Sequence, residues 1–279
     1  MTFIKYHGLG NDFVFLVPDG GETAALTPEA ARRICRRGFG VGADGLMTAG
    51  PSDRAHLSML LLNSDGSTPE MCGNGIRCLV KAAVDVLGHR DNPLLVDTPG
   101  GVRACRWTRG ADGRIAEVSV DMGAPSFDRA RVPMLGEGSA LHATVRVAGR
   151  AFEGHGVNTG NPHFVIFGDA DRALARELGP ALGAAREFPE GANIEFAALE
   201  APDRLRVVVW ERGCGLTEAC GTGATATVAA AAATGRAAFD APITVILPGG
   251  ELQITVEEGF RTAWMTGPAV EVYRGRLSG

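Results

Sequence analysis

The feature that most constrains this chain is that it repeats itself. Gly10-Asn11 returns as Gly160-Asn161, each with a phenylalanine shortly after it, Phe13 and Phe164. Gly42-Ala43-Asp44 returns as Gly191-Ala192-Asn193, and Glu70-Met71-Cys72-Gly73-Asn74-Gly75 as Glu218-Ala219-Cys220-Gly221-Thr222-Gly223. Pro99-Gly100-Gly101 returns as Pro248-Gly249-Gly250, and Gly123-Ala124-Pro125 has a looser counterpart in Gly267-Pro268. The first four pairs keep the same order and a separation of 148 to 150 residues. Glycine is abundant, 39 of 279 residues, so a single match would carry no weight. A series at near-constant spacing marks two homologous halves. The length, roughly two domains at ~150 residues each, agrees.

Each half predicts the same run of elements. Residues 56–62 and 206–210 predict strands that lead into the two Cys-Gly-x-Gly turns. A helix is predicted after each turn. In residues 75–87, Ile76, Leu79, Val80, Ala83 and Val84 fall on one face, with Gly88 as a stop. Residues 223–234 are alanine-dominated and apolar nearly all round, as a buried central helix would be. The Pro-Gly-Gly signals predict hairpins into strands over 102–107 and 252–257. Thr27 as cap, Pro28 as first residue and Gly38 as stop bracket a shorter helix over 28–37. Many antiparallel strands with one long helix per half give an α+β fold of two pseudo-symmetric domains.

Cys72 and Cys220 hold the same place in the two halves, at or just before a helix start. Unpaired N–H groups and the helix dipole favour an anion there, which is expected to bring thiolate within reach near neutrality. The glycines that follow let backbone N–H groups approach a ligand, a ready site for a carboxylate or phosphate. Outside the symmetric pair, Cys35, Cys78, Cys105 and Cys214 are expected to be small buried hydrophobes.

Two equivalent thiols suit a reaction that is itself two-faced. One group removes a proton from one face of a carbon while its counterpart delivers a proton to the other, inverting the stereocentre. Racemases that use pyridoxal phosphate need a Schiff-base lysine. The only lysines are Lys5, in the first predicted strand, and Lys81, within a helix, so a reading with no cofactor and no metal is preferred. The rival from another class is a thiol- or zinc-dependent binding protein. Against it, Cys72 and Cys78, like Cys214 and Cys220, are too far apart for the short Cys-x2–4-Cys spacing of zinc sites, and no Cys-x-x-Cys pair occurs.

A net charge of −5 with both signs scattered is no footprint for nucleic acid. Nothing reads as a signal peptide or a bilayer span. Six cysteines are too few for a disulfide scaffold and fit a reducing compartment. The expectation is a soluble cytoplasmic protein with a small-molecule substrate.

His7-Gly8-Leu9-Gly10-Asn11-Asp12-Phe13, Asn63-Ser64-Asp65-Gly66-Ser67, Glu70-Met71-Cys72-Gly73-Asn74-Gly75-Ile76-Arg77-Cys78, Gly160-Asn161-Pro162-His163-Phe164, Glu211-Arg212-Gly213 and Ala219-Cys220-Gly221-Thr222-Gly223-Ala224 together resemble the diaminopimelate epimerase family. The resemblance runs from Phe3 to about Gly275. Proline and hydroxyproline racemase-type isomerases are similar in fold and remain the alternative. Their first motif has His after Cys-Gly, where this chain has Asn74.

The resemblance implies two domains, each a β-barrel-like sheet around a central helix. Residues 1–122, with 268–279 returning to them through a strand near 270–273, form one; residues 123–267 form the other, with the active site in the cleft between. It implies cofactor-independent interconversion of LL- and meso-2,6-diaminopimelate, a step towards lysine and peptidoglycan precursors, by a homodimer. Cys72 and Cys220 would be the acid/base pair, and His163 and Glu211 would help set their protonation. Backbone N–H groups at Gly73-Asn74 and Gly221-Thr222 would hold the reacting carboxylate. Asn11, Asn63, Asn161, Asn193, Glu211 and Arg212 would bind the remaining amine and carboxylate groups. Two departures from the family pattern, Gly45 in place of Gln and Leu216 in place of Glu, bear on one amine contact and on local loop packing.

Overall fold

The computed structural model describes residues 1–18, 26–69 and 72–277. Glu70 and Met71 of the first repeat lie outside the described residues. In chain order the elements are β1 (Thr2–Gly8), β2 (Asn11–Leu16), α1 (Pro28–Cys35), β3 (Gly45–Gly50), β4 (Leu57–Asn63), α2 (Gly73–Asp85), β5 (Leu94–Thr98), β6 (Gly101–Arg109), β7 (Ile115–Gly123), β8 (Ala143–Val147), β9 (Arg150–Asn158), β10 (Pro162–Phe167), α3 (Arg172–Gly183), β11 (Asn193–Ala201), β12 (Arg204–Glu211), β13 (Gly215–Leu216), α4 (Gly221–Ala233), β14 (Ile243–Leu247), β15 (Gly250–Val256), β16 (Ala263–Pro268) and β17 (Val270–Arg276). They form two compact units, Met1–Val120 with Thr266–Gly279, and Asp121–Met265; the chain passes from one to the other within β7 and back within β16.

The duplicated sequence builds the same ladder twice. In the first unit β1 pairs antiparallel with β2, β2 runs parallel to β3, β3 antiparallel to β4, β4 parallel to β5, and β5 antiparallel to β6. In the second the corresponding series is β9, β10, β11, β12, β14 and β15, with the same alternation of antiparallel and parallel pairs. The β1–β2 hairpin turns on Leu9 and Gly10, with φ of 55° and 84°. Positive φ at both central residues matches the twist of a two-residue hairpin, and the turn delivers Asn11 to the start of β2. β17 pairs antiparallel with β1, from Thr2 opposite Arg276 to His7 opposite Val270.

Each long helix is the centre of its unit. Residues 73–84 of α2 and 221–232 of α4 are all buried. α2 lies against β1, β2, β3 and β4, and α4 against β9, β10, β11, β12 and β15. The apolar surface of α4 suits such a position on every side. α2 buries charged groups as well, and these need partners. Lys81 Nζ reaches Asp85 at 3.1 Å and donates to the Ile115 carbonyl. The other lysine, Lys5, is also buried and stands 2.7 Å from Asp12.

Two features depart from the sequence reading. The pattern does not predict α3, because Gly179, Pro180 and Gly183 interrupt its apolar spacing. Asp171 caps it, accepting from the N–H groups of Ala173 and Leu174 at 2.8 and 2.9 Å. Gly179 lets the Trp210 ring close on the helix: an added Cβ would stand 2.4 Å from it. Cys214, expected to be buried, is exposed, while Cys35, Cys78 and Cys105 are buried. It sits in the turn after β12, where its N–H donates to the Glu211 carbonyl at 3.2 Å. Among the described residues no helix is long and apolar enough to cross a membrane.

Candidate active site

Both paired cysteines are helix N-caps. Cys72 and Cys220 have extended backbones, and their Sγ atoms accept from the N–H groups of Gly75 and Gly223 at 3.3 and 3.4 Å. Sulfur takes the place that a serine or aspartate oxygen usually fills. This explains the second glycine of each motif. A Cβ at Gly75 would stand 3.0 Å from Cys72 Sγ; one at Gly223 would stand 3.3 Å from Cys220 Sγ and 2.8 Å from Glu195 Oε1. Gly73 and Asn74, like Gly221 and Thr222, occupy the first two helical positions, so their N–H groups have no acceptor within the helix. Such N–H groups can hold a carboxylate.

Around Cys72 the charge is positive. Arg77 is fully buried and donates to the Gly73 carbonyl at 3.2 Å, to Asn74 Oδ1 at 2.9 Å and to the Pro268 carbonyl at 3.2 Å. Burial pulls its pKa down to about 10, which leaves it a cation at neutral pH. Asn74 in turn donates to Asn11 Oδ1 at 3.2 Å, and Asn11 donates to Asp44 Oδ2 at 2.9 Å. A polar chain therefore runs from the buried guanidinium to the start of β2. Asn63 stands apart from it, at the end of β4, with its amide donating to Ser67 Oγ at 3.0 Å.

Around Cys220 the charge is negative. Glu211 accepts hydrogen bonds from the Cys220 thiol and from the Thr217 hydroxyl, and burial raises its pKa. Thr222 Oγ1 lies 3.4 Å from Cys220 Sγ. Burial first, then the carboxylates of Glu211 and Glu195, push the Cys220 thiol well above its ordinary value. This reverses the sequence expectation for Cys220, since desolvation and two acidic neighbours outweigh the helix start.

His163 is completely buried and bridges two residues: Nδ1 lies 2.6 Å from Glu195 Oε1 and Nε2 lies 2.7 Å from Asn161 Oδ1. Asn193 is turned to the backbone, donating to the Pro162 carbonyl at 3.2 Å and accepting from the Arg212 N–H at 2.8 Å. It thereby fixes the end of β12, from which the half-exposed Arg212 side chain donates to the Glu190 carbonyl at 2.9 Å.

Of the two departures, Gly45 is tightly packed. A Cβ there would stand 3.0 Å from the Leu62 carbonyl oxygen and 3.1 Å from both Leu61 and Phe13. Leu216 pairs with Trp210 across β12 and β13 and packs on the core of the second unit. Sequence reasoning missed Arg77 and Glu195. The available signal was a charged residue set among apolar ones in a predicted core: Ile194 and Phe196 flank Glu195, and Ile76, Leu79 and Val80 surround Arg77. Among the described residues no three His, Cys, Asp or Glu side chains converge as metal ligands would.

The fold is shared with a class of solved isomerase-like structures. A probable proline racemase from Agrobacterium radiobacter superposes with a TM-score of 0.72 at 16% identity, over 99% of this chain and 92% of the other. A hydroxyproline epimerase from Agrobacterium vitis gives 0.71 at 16% identity, over 99% and 90%. Identities so low speak for the fold alone. The diaminopimelate epimerase family model matches residues 3–127 and 156–272. A diaminopimelate epimerase of Desulfitobacterium hafniense is 45% identical over 99% of this chain and 98% of its own length, and one of Moorella thermoacetica is 44% identical over 99% and 98%. The chain belongs to the diaminopimelate epimerase family.

Proposed function

We propose that this chain interconverts LL- and meso-2,6-diaminopimelate by moving one proton on and off a stereogenic carbon, with Cys72 and Cys220 as the acid/base pair. The observation that carries the reading is that two thiols cap two matched helices inside surroundings of opposite charge. The reaction needs one thiolate and one thiol, on opposite faces of the same carbon. Arg77, a buried cation one turn into α2, favours thiolate at Cys72; Glu211 and Glu195 favour the thiol at Cys220.

In this reading the Cys72 thiolate takes the Cα proton while Cys220 gives its proton to the other face, and Glu211 accepts the hydrogen bond that keeps that proton on sulfur until then. The developing negative charge spreads into the substrate carboxylate, which the N–H groups of Gly73, Asn74, Gly221 and Thr222 stabilise. Every one of these groups comes from the chain itself, and no cofactor enters the scheme. Arg212 supplies the cation for the distal carboxylate, with Asn11, Asn63 and Asn161 completing the polar contacts and Asn193 holding the strand end that presents Arg212. We place the reaction in the cytoplasm and assign the active form as a homodimer, which sedimentation of the purified protein tests.

Incubating the protein with LL-diaminopimelate in D2O, without added cofactor, tests the reading directly. Meso product carrying deuterium at the inverted carbon is the expected result. Turnover of proline with no action on diaminopimelate would move the chain to the proline racemase-type reading.

A further inference from the structure

We propose that Glu195 is a positioning residue for the reaction, acting through His163 to fix the amide of Asn161 as a hydrogen-bond donor to substrate. This rests on the diaminopimelate reading above for the identity of the ligand, but not for the arrangement itself.

The argument begins with burial. Glu195 is wholly buried in β11, and its Oε2 has no hydrogen-bond partner among the described residues. A buried carboxylate with one bare oxygen needs strong compensation at the other. At Oε1 that compensation is His163 Nδ1, 2.6 Å away and equally buried. A proton placed on Oε2 would have no acceptor, so the proton of this pair lies in the short Oε1–Nδ1 bond. The other ring nitrogen also faces an oxygen, Asn161 Oδ1 at 2.7 Å, and only an Nε2–H can donate there. Glu195 and His163 therefore hold two protons between them. The imidazole has both nitrogens committed and cannot rotate.

The consequence falls on Asn161. With Oδ1 tied to Nε2–H, the N–H2 end of the amide is turned away from the imidazole. A neutral imidazole with its proton on Nδ1 would present a lone pair at Nε2 and draw the amide round, exposing an acceptor in place of a donor. A substrate carboxylate needs the donor. Asn161 immediately precedes β10 and is half-buried. The charged residue Glu195 in β11 thus sets the polarity of a side chain in the turn that leads into β10. The sheet makes this possible: β10 and β11 run parallel with Val165 opposite Glu195 and His163 opposite Asn193. Glu195 Oε1 also lies 2.8 Å from the place a Gly223 Cβ would take, and Cys220 Sγ lies 3.3 Å from it, so the same carboxylate closes against the first turn of α4.

The test combines Glu195→Gln, Glu195→Asp and Asn161→Ala with two readouts. In the parent, side-chain ¹⁵N resonances of His163 should show a hydrogen-bonded proton at each ring nitrogen, as the two short contacts require; in Glu195→Gln one should be lost. On diaminopimelate, Glu195→Gln should raise KM roughly tenfold, the scale of one hydrogen bond to a charged group, with kcat within about threefold. Asn161→Ala should raise KM by a similar factor, the double variant should add little further, and Glu195→Asp should recover part of the loss. A parent His163 with one protonated nitrogen overturns the proposal, and so does a Glu195→Gln effect confined to kcat or additive with Asn161→Ala. If Glu195→Gln does not fold, the parent spectrum decides. Two protonated nitrogens in a parent that leaves diaminopimelate unchanged would uphold the positioning arrangement and overturn only the substrate assignment.

Discussion

The two capping thiols share a backbone and differ in almost everything around it. Both accept from the N–H three residues on, at 3.3 and 3.4 Å, and both require glycine there. The sheet registers and helix starts match Phe13 with His163, Met47 with Glu195, Asn63 with Glu211, and Arg77 with Thr225. The first unit has placed a cation in its helix and neutral side chains on its strands. The second has a neutral threonine in its helix and two carboxylates and an imidazole on its strands. Duplication supplied two matched caps; divergence of four positions gave one cap a buried cation for a neighbour and the other two carboxylates. Two identical units would leave both caps in the same electrostatic surroundings.

The strongest attack on this comparison is to remove either cap sulfur. Cys72→Ser and Cys220→Ser should each lower kcat by on the order of 10²–10⁴, the usual worth of a positioned acid or base, and by similar factors. Full epimerisation by either variant would end the two-thiol reading. Next is Arg212→Met, which leaves both caps intact. Losing a charged hydrogen-bond partner costs roughly 1.5–3 kcal/mol, so kcat/KM on diaminopimelate should fall about 10- to 150-fold. An unchanged value would send the distal carboxylate to another ligand.

A smaller and more pointed effect is expected from Arg77→Met. If the guanidinium is what favours thiolate at Cys72, alkylation of Cys72 by iodoacetamide at neutral pH should slow about tenfold, while Cys220 keeps its rate. Equal slowing at both cysteines, or at neither, would dissolve the contrast. Peptide mapping of the labelled protein reads the two sites separately.

The smallest effects are on stability, and the two units should fail at opposite ends of the pH scale. In the second unit, burial, then His142 and Arg236, hold His155 down at about 4. The unfolded chain takes up that proton near pH 6.5, so the contribution is complete above 6.5 and is lost as pH falls towards 4. In the first unit burial raises the thiols of Cys35 and Cys78 to about 11 and 12. Unfolded thiols ionise near 8.5, so this contribution is complete below that value and is lost as pH rises towards 11 and 12. Each group changes stability by up to about 1.4 kcal/mol per pH unit within its window. Denaturation midpoints should lose their acid limb in His155→Gln and part of their alkaline limb in Cys78→Ala. Exchange of the two limbs would show that the assignments are reversed.

What the sequence revealed follows from what repeats. The caps, the two central helices and the Pro-Gly-Gly hairpins stand at matched positions in both halves, and each rests on local chemistry that a single strand or turn displays. α3 was not legible because its stability lies in the Asp171 cap and the Trp210 contact, while Gly179 and Pro180 hide the helical spacing. Glu195 and Arg77 were hidden for another reason. Each looks like a misfit in an apolar run until the register of β10 on β11, or the burial of α2, brings its partners beside it. The direction of the Cys220 shift likewise depends on residues 9 and 25 positions upstream, Glu211 and Glu195, whose proximity only the folded sheet creates.

The pairing of β1 with β17 has a consequence for how this molecule comes into being. The second unit is one uninterrupted stretch, Asp121–Met265, whereas the first needs Thr266–Gly279 to cover the edge of its opening strand. On the ribosome, then, β1 is made long before its partner: its outer edge stays open until β17 has left the exit tunnel, after the whole second unit has emerged. The unit begun earlier is closed only after the unit begun later is fully made.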